Sequence, residues 1–232
     1  MSLYAIGDFH LSFNSDKSMD KFGPEWVNHE DKIIRNFRML IRDNDTVVIT
    51  GDHSWGKNLK DASLDLEFIE KLPGRKILLR GNHDMFWEAN KTERLNKLFE
   101  GRLLFMQDNF YSYEDYALVG TKGYCYEGRD EPMEHYDKLM KREALRLRKG
   151  FDKAKAAGFS KFVMFLHYPP TSIGEKESLF TKMAKEYGAE IVVYSHCHGM
   201  ERYNDSYKGL VDGINYYLVS GDFLDFCPKR IL

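Results

Sequence analysis

The sequence predicts an α/β domain, and three observations predict it. Short apolar, β-rich runs alternate with stretches of helical period. Most of those runs end in a cluster of Gly, Asp, Asn or His. The chain is 232 residues long, 43% hydrophobic and 30% charged. That suits one domain spanning residues 1–232, with a core large enough to form without disulfides.

In chain order, Leu3–Gly7 reads as a first strand that runs into Asp8. Residues 30–42 carry Ile33, Ile34, Phe37, Leu40 and Ile41 at helical spacing. Thr46–Thr50 is a buried strand closed by Gly51-Asp52, and residues 64–72 form a helix stopped by Pro73-Gly74. Lys76–Leu79 is a third strand leading into Arg80-Gly81-Asn82-His83-Asp84, with a helix expected over residues 85–99. Strands at Leu103–Met106 and Ala117–Gly120 follow, then a long charged helix over residues 134–157 with Leu139, Leu145, Leu147 and Phe151 as its apolar positions. Phe162–Leu166 and Ile191–Tyr194 are buried strands separated by a helix over residues 179–187. Tyr216–Val219 and a short piece near Phe226 read as antiparallel strands. Repeats, low-complexity stretches and linkers are absent.

Composition excludes several classes. Cys125, Cys197 and Cys227 are too few and too scattered for a disulfide framework or a thiolate zinc site. The opening MSLYAIGDFHLSF lacks the basic and long apolar segments of a signal peptide, and no apolar run is long enough to span a bilayer. A cytoplasmic protein without membrane contact is therefore the expectation. The net charge of −2 gives no broad electrostatic footprint for nucleic acid, which is not favoured as a partner. It says nothing about a small anion at a local site.

The chemistry gathers at the strand ends, where ligands of open α/β folds bind. Asp8, Asp52, Asn82, His167 and His196 each follow an apolar run. Asp8-x-His10 and His196-x-His198 each place two ligand-type side chains two residues apart, a spacing that aims both to one side of an extended strand. Cys197 then points away as a buried thiol. Imidazole, carboxylate and carboxamide without thiolate suit Mn, Fe, Zn or Co rather than Ca or a structural zinc. Seven such groups exceed what one four- to six-coordinate ion takes. Two divalent ions sharing a carboxylate fit better.

Taken together, Asp8-x-His10, Gly51-Asp52, Gly81-Asn82-His83-Asp84, His167 and His196-x-His198 resemble the signature of the calcineurin-like metallophosphoesterase superfamily. YAIGDFHLSF, FGPEW, GDHSW, KILLRGNHD, LHYPP and HCHG are similar to a little-characterised bacterial branch of predicted phosphohydrolases. The resemblance implies a four-layer α-β-β-α sandwich of two mixed sheets flanked by helices. It implies one divalent transition-metal ion (Mn, Fe or Zn) held by Asp8, His10, Asp52 and His198. A second is held by Asp52, Asn82, His167 and His196, with Asp52 bridging. Ser195 stands where the family usually has glycine, which alters the local turn without removing a ligand.

The activity this implies is hydrolysis of a small phosphorylated substrate by a hydroxide between the two ions. The alternatives on the same site are a phosphodiesterase, nuclease or protein phosphatase, or a catalytically silent scaffold. His83 is placed to donate a hydrogen bond to the phosphoryl group or to protonate the leaving oxygen. Asp84 either orients His83 or is a turn-stabilising cap at the start of the following helix. His53, Trp55, Tyr124 and Arg129 are the expected substrate contacts, with Lys57, Trp87 and Tyr126 further candidates by position. For His53 the alternative is packing behind the strand, and for the others ordinary packing or a solvated loop.

Overall fold

The computed structural model describes residues 1–127, 132–204 and 207–232. Its strands are β1 (Leu3–Ile6), β2 (Thr46–Ile49), β3 (Arg75–Leu79), β4 (Leu104–Met106), β5 (Phe110–Tyr113), β6 (Tyr116–Thr121), β7 (Lys161–Leu166), β8 (Ala189–Tyr194), β9 (Gly209–Val211), β10 (Ile214–Leu218) and β11 (Lys229–Arg230). Its helices are α1 (His29–Leu40), α2 (Ser63–Lys71), α3 (Thr92–Phe99), α4 (Met133–Ala156), α5 (Leu179–Tyr187) and α6 (Gly199–Asn204). They build two mixed sheets, one of five strands in the order β11-β1-β2-β3-β4 and one of six in the order β5-β6-β7-β8-β10-β9.

Alternation along the strands makes the layers. In β2, Val47 and Ile49 face the helix-covered side while Val48 faces the other sheet. In β7, Phe162, Met164 and Leu166 pack beneath α4 and α5, whereas Val163 and Phe165 meet the first sheet. Three apolar layers result. One lies between α1–α3 and the first sheet, one between the sheets, and one between the second sheet and α4–α5. This is the expected α-β-β-α sandwich. Among the described residues, no helix is long and apolar enough to cross a membrane.

Several expectations are corrected. Residues 85–91 are irregular apart from a 3-10 turn at Ala89–Lys91, so helix begins only at Thr92. Burial of Trp87, and the bond from Arg80 Nε to the Trp87 carbonyl, commit that stretch to the preceding turn. In α4 the buried stripe runs through Tyr136, Glu143, Ala144, Leu147, Phe151 and Ala154, leaving Leu145 63% exposed rather than in the core. The strand β5 was not anticipated. The C-terminal strand β10 pairs parallel with β8 and antiparallel only with β9. Phe226 lies in a turn of positive φ, and the last strand pairs antiparallel with β1 at Lys229–Arg230.

Phe165 fills the layer between the sheets and is fully buried. Phe165→Ala is expected to cost about 3–5 kcal/mol in urea denaturation, the range for emptying a rigid core site. A loss below about 1 kcal/mol would show that the sheets do not depend on this contact.

Candidate metal centre

The seven expected ligands come from five turns at the carboxyl ends of β1, β2, β3, β7 and β8. Their backbone is unusual. Asp8, His10, Asp52 and His196 all have positive φ, at 59°, 46°, 52° and 71°. Such non-glycine strain persists where surrounding structure over-determines it, most often at functional sites. The two D/H-x-H triplets therefore reach the site through left-handed turns and not, as the spacing suggested, as strand continuations. Phe9 points into the layer under the helices and Cys197 into the layer beneath α4 and α5, as expected for the middle residue of each.

The turns interlock. Asp8 N donates to Gly51 O at 2.9 Å and His10 N to Asp52 O at 2.8 Å. His196 N donates to Asp8 Oδ2 at 3.0 Å, and His83 N to Asp52 Oδ1 at 2.8 Å. Glycine is required where turns meet. A Cβ on Gly81 would sit 2.1 Å from Asp52 Oδ1, and one on Gly51 (φ 110°) would sit 2.6 Å from His167 Nδ1.

Two groups of ligand atoms converge: Asp8, His10 and His198 in one, Asp52, His167 and His196 in the other, each within 4.8 Å of its mates. Six of the seven expected ligands thus fall into these two groups, with His196 and His198 divided between them. Asp52 Oδ2 lies 3.4 Å from His167 Nε2 and 3.6 Å from His10 Nε2, between the two. Asn82 Oδ1 is 2.7 Å from His167 Nε2.

The direction of the imidazole lone pairs tests whether a cation fits. His167 Nδ1 donates to Thr50 O at 3.0 Å, His196 Nε2 to Glu127 Oε1 at 2.9 Å, and His198 Nδ1 to Asp222 Oδ1 at 2.9 Å. Each ring then turns its other nitrogen, a lone pair in the neutral form, into the centre. His167 Nε2 faces Asn82 Oδ1 and also His196 Nδ1, 3.1 Å away. Lone pairs at such distances repel unless a proton or a metal ion lies between them. Buried Asp8 Oδ1 and Asp52 Oδ2 likewise complete no hydrogen bond. The donor set fits divalent transition metals.

Electrostatics agree. Burial pushes the Asp8 carboxyl up to about 6, against the pull of His198 and His167. Burial would raise Asp52 too, but the charge and close approach of His167 hold it well below the usual carboxylate range. Burial lowers His10 well below its ordinary value and His196 to about 4. It would also lower His198, but the Asp222 hydrogen bond and the Asp8 charge carry that ring up to about 9.

His83 stands at the rim, its ring 4.2 Å from Trp55 and 5.6 Å from His10. Burial depresses its pKa, so the ring is neutral near pH 7. Asp84 does not orient it. Its carboxylate accepts from the backbone N–H of Gly81 (2.7 Å), His53 (2.8 Å) and Asp52 (3.0 Å), and from His53 Nδ1 (2.9 Å). Asp84 is a fully buried clamp between two turns and is not placed to touch substrate. His53, also fully buried, is its partner and cannot contact substrate, a second correction. Ser195 ties its turn to the end of β2, donating from Oγ to Thr50 O at 3.1 Å.

Trp55 does line the site, whereas Tyr124 packs on Tyr168 and Tyr136 outside it. Tyr126 packs on Tyr136, and Trp87 is core. Arg129 lies outside the described residues. Sequence reasoning missed Glu127 and Asp222, which fix the tautomers of His196 and His198. It also missed the wall of Met19, Phe22, Glu25 and Trp26 beside the centre. For that wall FGPEW was a signal noticed without a role. Glu127 and Asp222 sit in no spacing that marks them.

Comparison with known proteins follows the same lines. A family model described as calcineurin-like phosphoesterase matches residues 1–200. An uncharacterised protein of Methanocaldococcus jannaschii is 30% identical over 113 residues, covering 47% of this chain and 61% of that protein. The matched part thus spans less than two thirds of that relative. Among solved structures, a protein of unknown function from Aquifex aeolicus superposes with a TM-score of 0.52 at 16% identity, covering 99% of this chain and 95% of that one. A Thermus thermophilus protein does so with a TM-score of 0.51 at 10% identity, covering 84% and 81%. At these identities the structural likeness is one of fold.

Asp222→Ala and Glu127→Ala each remove an acceptor behind a ligand histidine. Each is expected to weaken metal binding about 10- to 100-fold in its own group of ligands only. Metal titration of each variant, followed calorimetrically, checks this, and unchanged affinity in both would refute the role. Because His198 must shed a proton to offer its lone pair, and does so only near pH 9, metal uptake should strengthen from pH 6 to pH 9. The gain approaches about tenfold per unit. An apparent Kd that stays flat over that range would contradict the assignment.

Proposed function

Since the chain belongs to the calcineurin-like phosphoesterase family, we propose that it is a metal-dependent phosphoester hydrolase with a binuclear centre, acting on a small phosphorylated substrate. The observation that carries this reading is the convergence of imidazole lone pairs and orphaned carboxylate oxygens, in two adjacent groups, on one cavity. Asp8, His10, Asp52 and His198 would hold one ion, and Asp52, Asn82, His167 and His196 the other. Two such ions, when bound, polarise the phosphoryl oxygens and lower the pKa of water enough to supply a nucleophile near neutrality.

The protein's own groups do the rest. Two bound dications would be balanced by Asp8 and Asp52 at the ligand positions and by Glu127 and Asp222 behind His196 and His198, so the attraction for an anion would come from the ions themselves and not from the chain's net charge of −2. That favours a phosphate. His83 faces the cavity beside both groups, and its ring, neutral near pH 7, donates an N–H hydrogen bond to a phosphoryl oxygen without competing for metal. Its backbone N–H holds Asp52 Oδ1 at 2.8 Å, leaving Oδ2 without a hydrogen bond and available as a ligand atom. Asp84 keeps the two turns in register.

Protein purified without chelator is expected to carry about two transition-metal ions per chain. On a panel of phosphomonoesters, phosphodiesters, cyclic nucleotides and phosphopeptides it should be active, lose that activity to chelation and regain it with Mn²⁺. No transition metal and no hydrolysis after adding Mn²⁺ would sink the proposal. His83→Ala should lower kcat about 10²- to 10⁴-fold while metal content stays the same. Near-wild-type turnover at full metal occupancy would remove His83 from the mechanism.

A further inference from the structure

Beside the metal groups lies a cavity of about 440 Å³, within the range of small-ligand sites. Its floor holds His10, His83, His196 and His198, while Met19, Phe22, Glu25, Trp26 and Trp55 form its walls. Three features of these walls need a partner. Phe22 is 66% exposed at the mouth, a large ring covered by nothing. Trp55 stacks on His10 with ring centroids 5.1 Å apart and carries the ammonium of exposed Lys17 at 3.7 Å from its own centroid, so a flat π-system reaches it by displacing that flexible cation. The half-buried Glu25 carboxylate, which folds back over Gly23, makes no hydrogen bond or ion pair to the described residues.

We infer that this cavity takes a nucleobase, which makes the substrate class a nucleoside monophosphate whose phosphate lies on the metal groups and whose base lies between Phe22 and Trp55 with an N–H edge toward Glu25. The inference rests on the phosphoester hydrolase reading above. A base has apolar faces for the rings and polar N–H donors on its edge for a lone carboxylate, the combination these walls ask for. A sugar phosphate could give one hydroxyl to Glu25 but would press the others and no flat face against Met19, Phe22 and Trp26. Among the described lining residues Glu25 and Asp222 are acidic, and the Lys17 ammonium sits over Trp55 as a single flexible cation, so an extended nucleic-acid backbone is disfavoured there. A phosphotyrosine ring would stack but offers no N–H to Glu25.

The test compares guanosine 5′-monophosphate with ribose 5-phosphate, from which the same primary alcohol departs, so that only the base differs; phosphotyrosine is the third arm. With metal-loaded protein, kcat/KM is expected to be about tenfold or more higher for the nucleotide than for ribose 5-phosphate. Phe22→Ala should erase most of that margin, and Glu25→Gln should reduce it. Titration calorimetry with guanosine, which carries no phosphate, reads the pocket independently of turnover. Wild type should bind it, and Phe22→Ala should bind it about tenfold more weakly. Equal kcat/KM on the nucleotide and ribose 5-phosphate, a preference for phosphotyrosine, or guanosine binding that ignores Phe22→Ala would each overturn the inference. Absence of hydrolysis across all phosphoesters with guanosine binding intact would instead overturn the hydrolase reading and leave the base pocket standing.

Discussion

The centre depends on one buried carboxylate that belongs to neither group of converging ligand atoms. Asp84 accepts backbone N–H groups from Gly81, Asp52 and His53, and so joins the turn after β2 to the turn after β3. Asp52 closes the loop from the other side by accepting the N–H of His83. These reciprocal bonds, with no Cβ at Gly81 to hold the turns apart, set where Asp52 and Asn82 stand. A fully buried carboxylate on a chain segment without a counter-charge is costly. His53 supplies the compensation, since its imidazole counters the effect of burial and holds Asp84 below the ordinary carboxylate range. The histidine next to Asp52 is therefore part of the scaffold.

The left-handed backbone of Asp8, His10, Asp52 and His196 shows how the remaining ligands are held. Each such residue costs of order 1–3 kcal/mol. The strain survives because the parallel strands deliver the turns side by side, and each strained residue gives its N–H to another turn or accepts through its carbonyl or carboxylate. Sheet topology also explains why ligands so distant in sequence meet. The strands β1, β2 and β3 are neighbours in one sheet and β7 and β8 in the other, and the sheets are stacked with the ligand-bearing ends together. The fold's contribution to chemistry is this alignment of strand ends.

Much of this was legible in the sequence because the relevant signals are local. Alternating runs such as Val47-Val48-Ile49 and Phe162–Leu166 are buried on both faces, and the ligand turns carry residue types that ordinary turns seldom collect. What was not legible depends on contacts across the chain. Glu127 and Asp222 act only because folding brings them behind His196 and His198. The stretch 85–91 has helical composition, but Trp87 and Arg80 tie it down. Tyr216–Leu218 reads as a strand, yet nothing local says that it runs parallel to β8. Asp84 follows His83 directly, and adjacency suggested a partnership that the backbone geometry does not permit.

The same geometry makes the site unstable in isolation, which links function to folding. Buried orphan oxygens on Asp8 and Asp52, with imidazole lone pairs directed inward by Thr50, Glu127 and Asp222, cost about 1–3 kcal/mol for each unsatisfied group. Protons offset part of this, as the upward shifts of Asp8 and His198 show. Those protons occupy the positions that ligation requires. A divalent ion relieves the repulsion more fully than a proton because one ion serves several lone pairs together. Ions that bind the folded form alone stabilise it in proportion to the logarithm of their concentration over Kd. A centre preorganised by the clamp, the strained turns and the fixed tautomers is one whose polar groups cannot relax away, and that rigidity is what would let a set of mutually repelling groups hold a cation tightly.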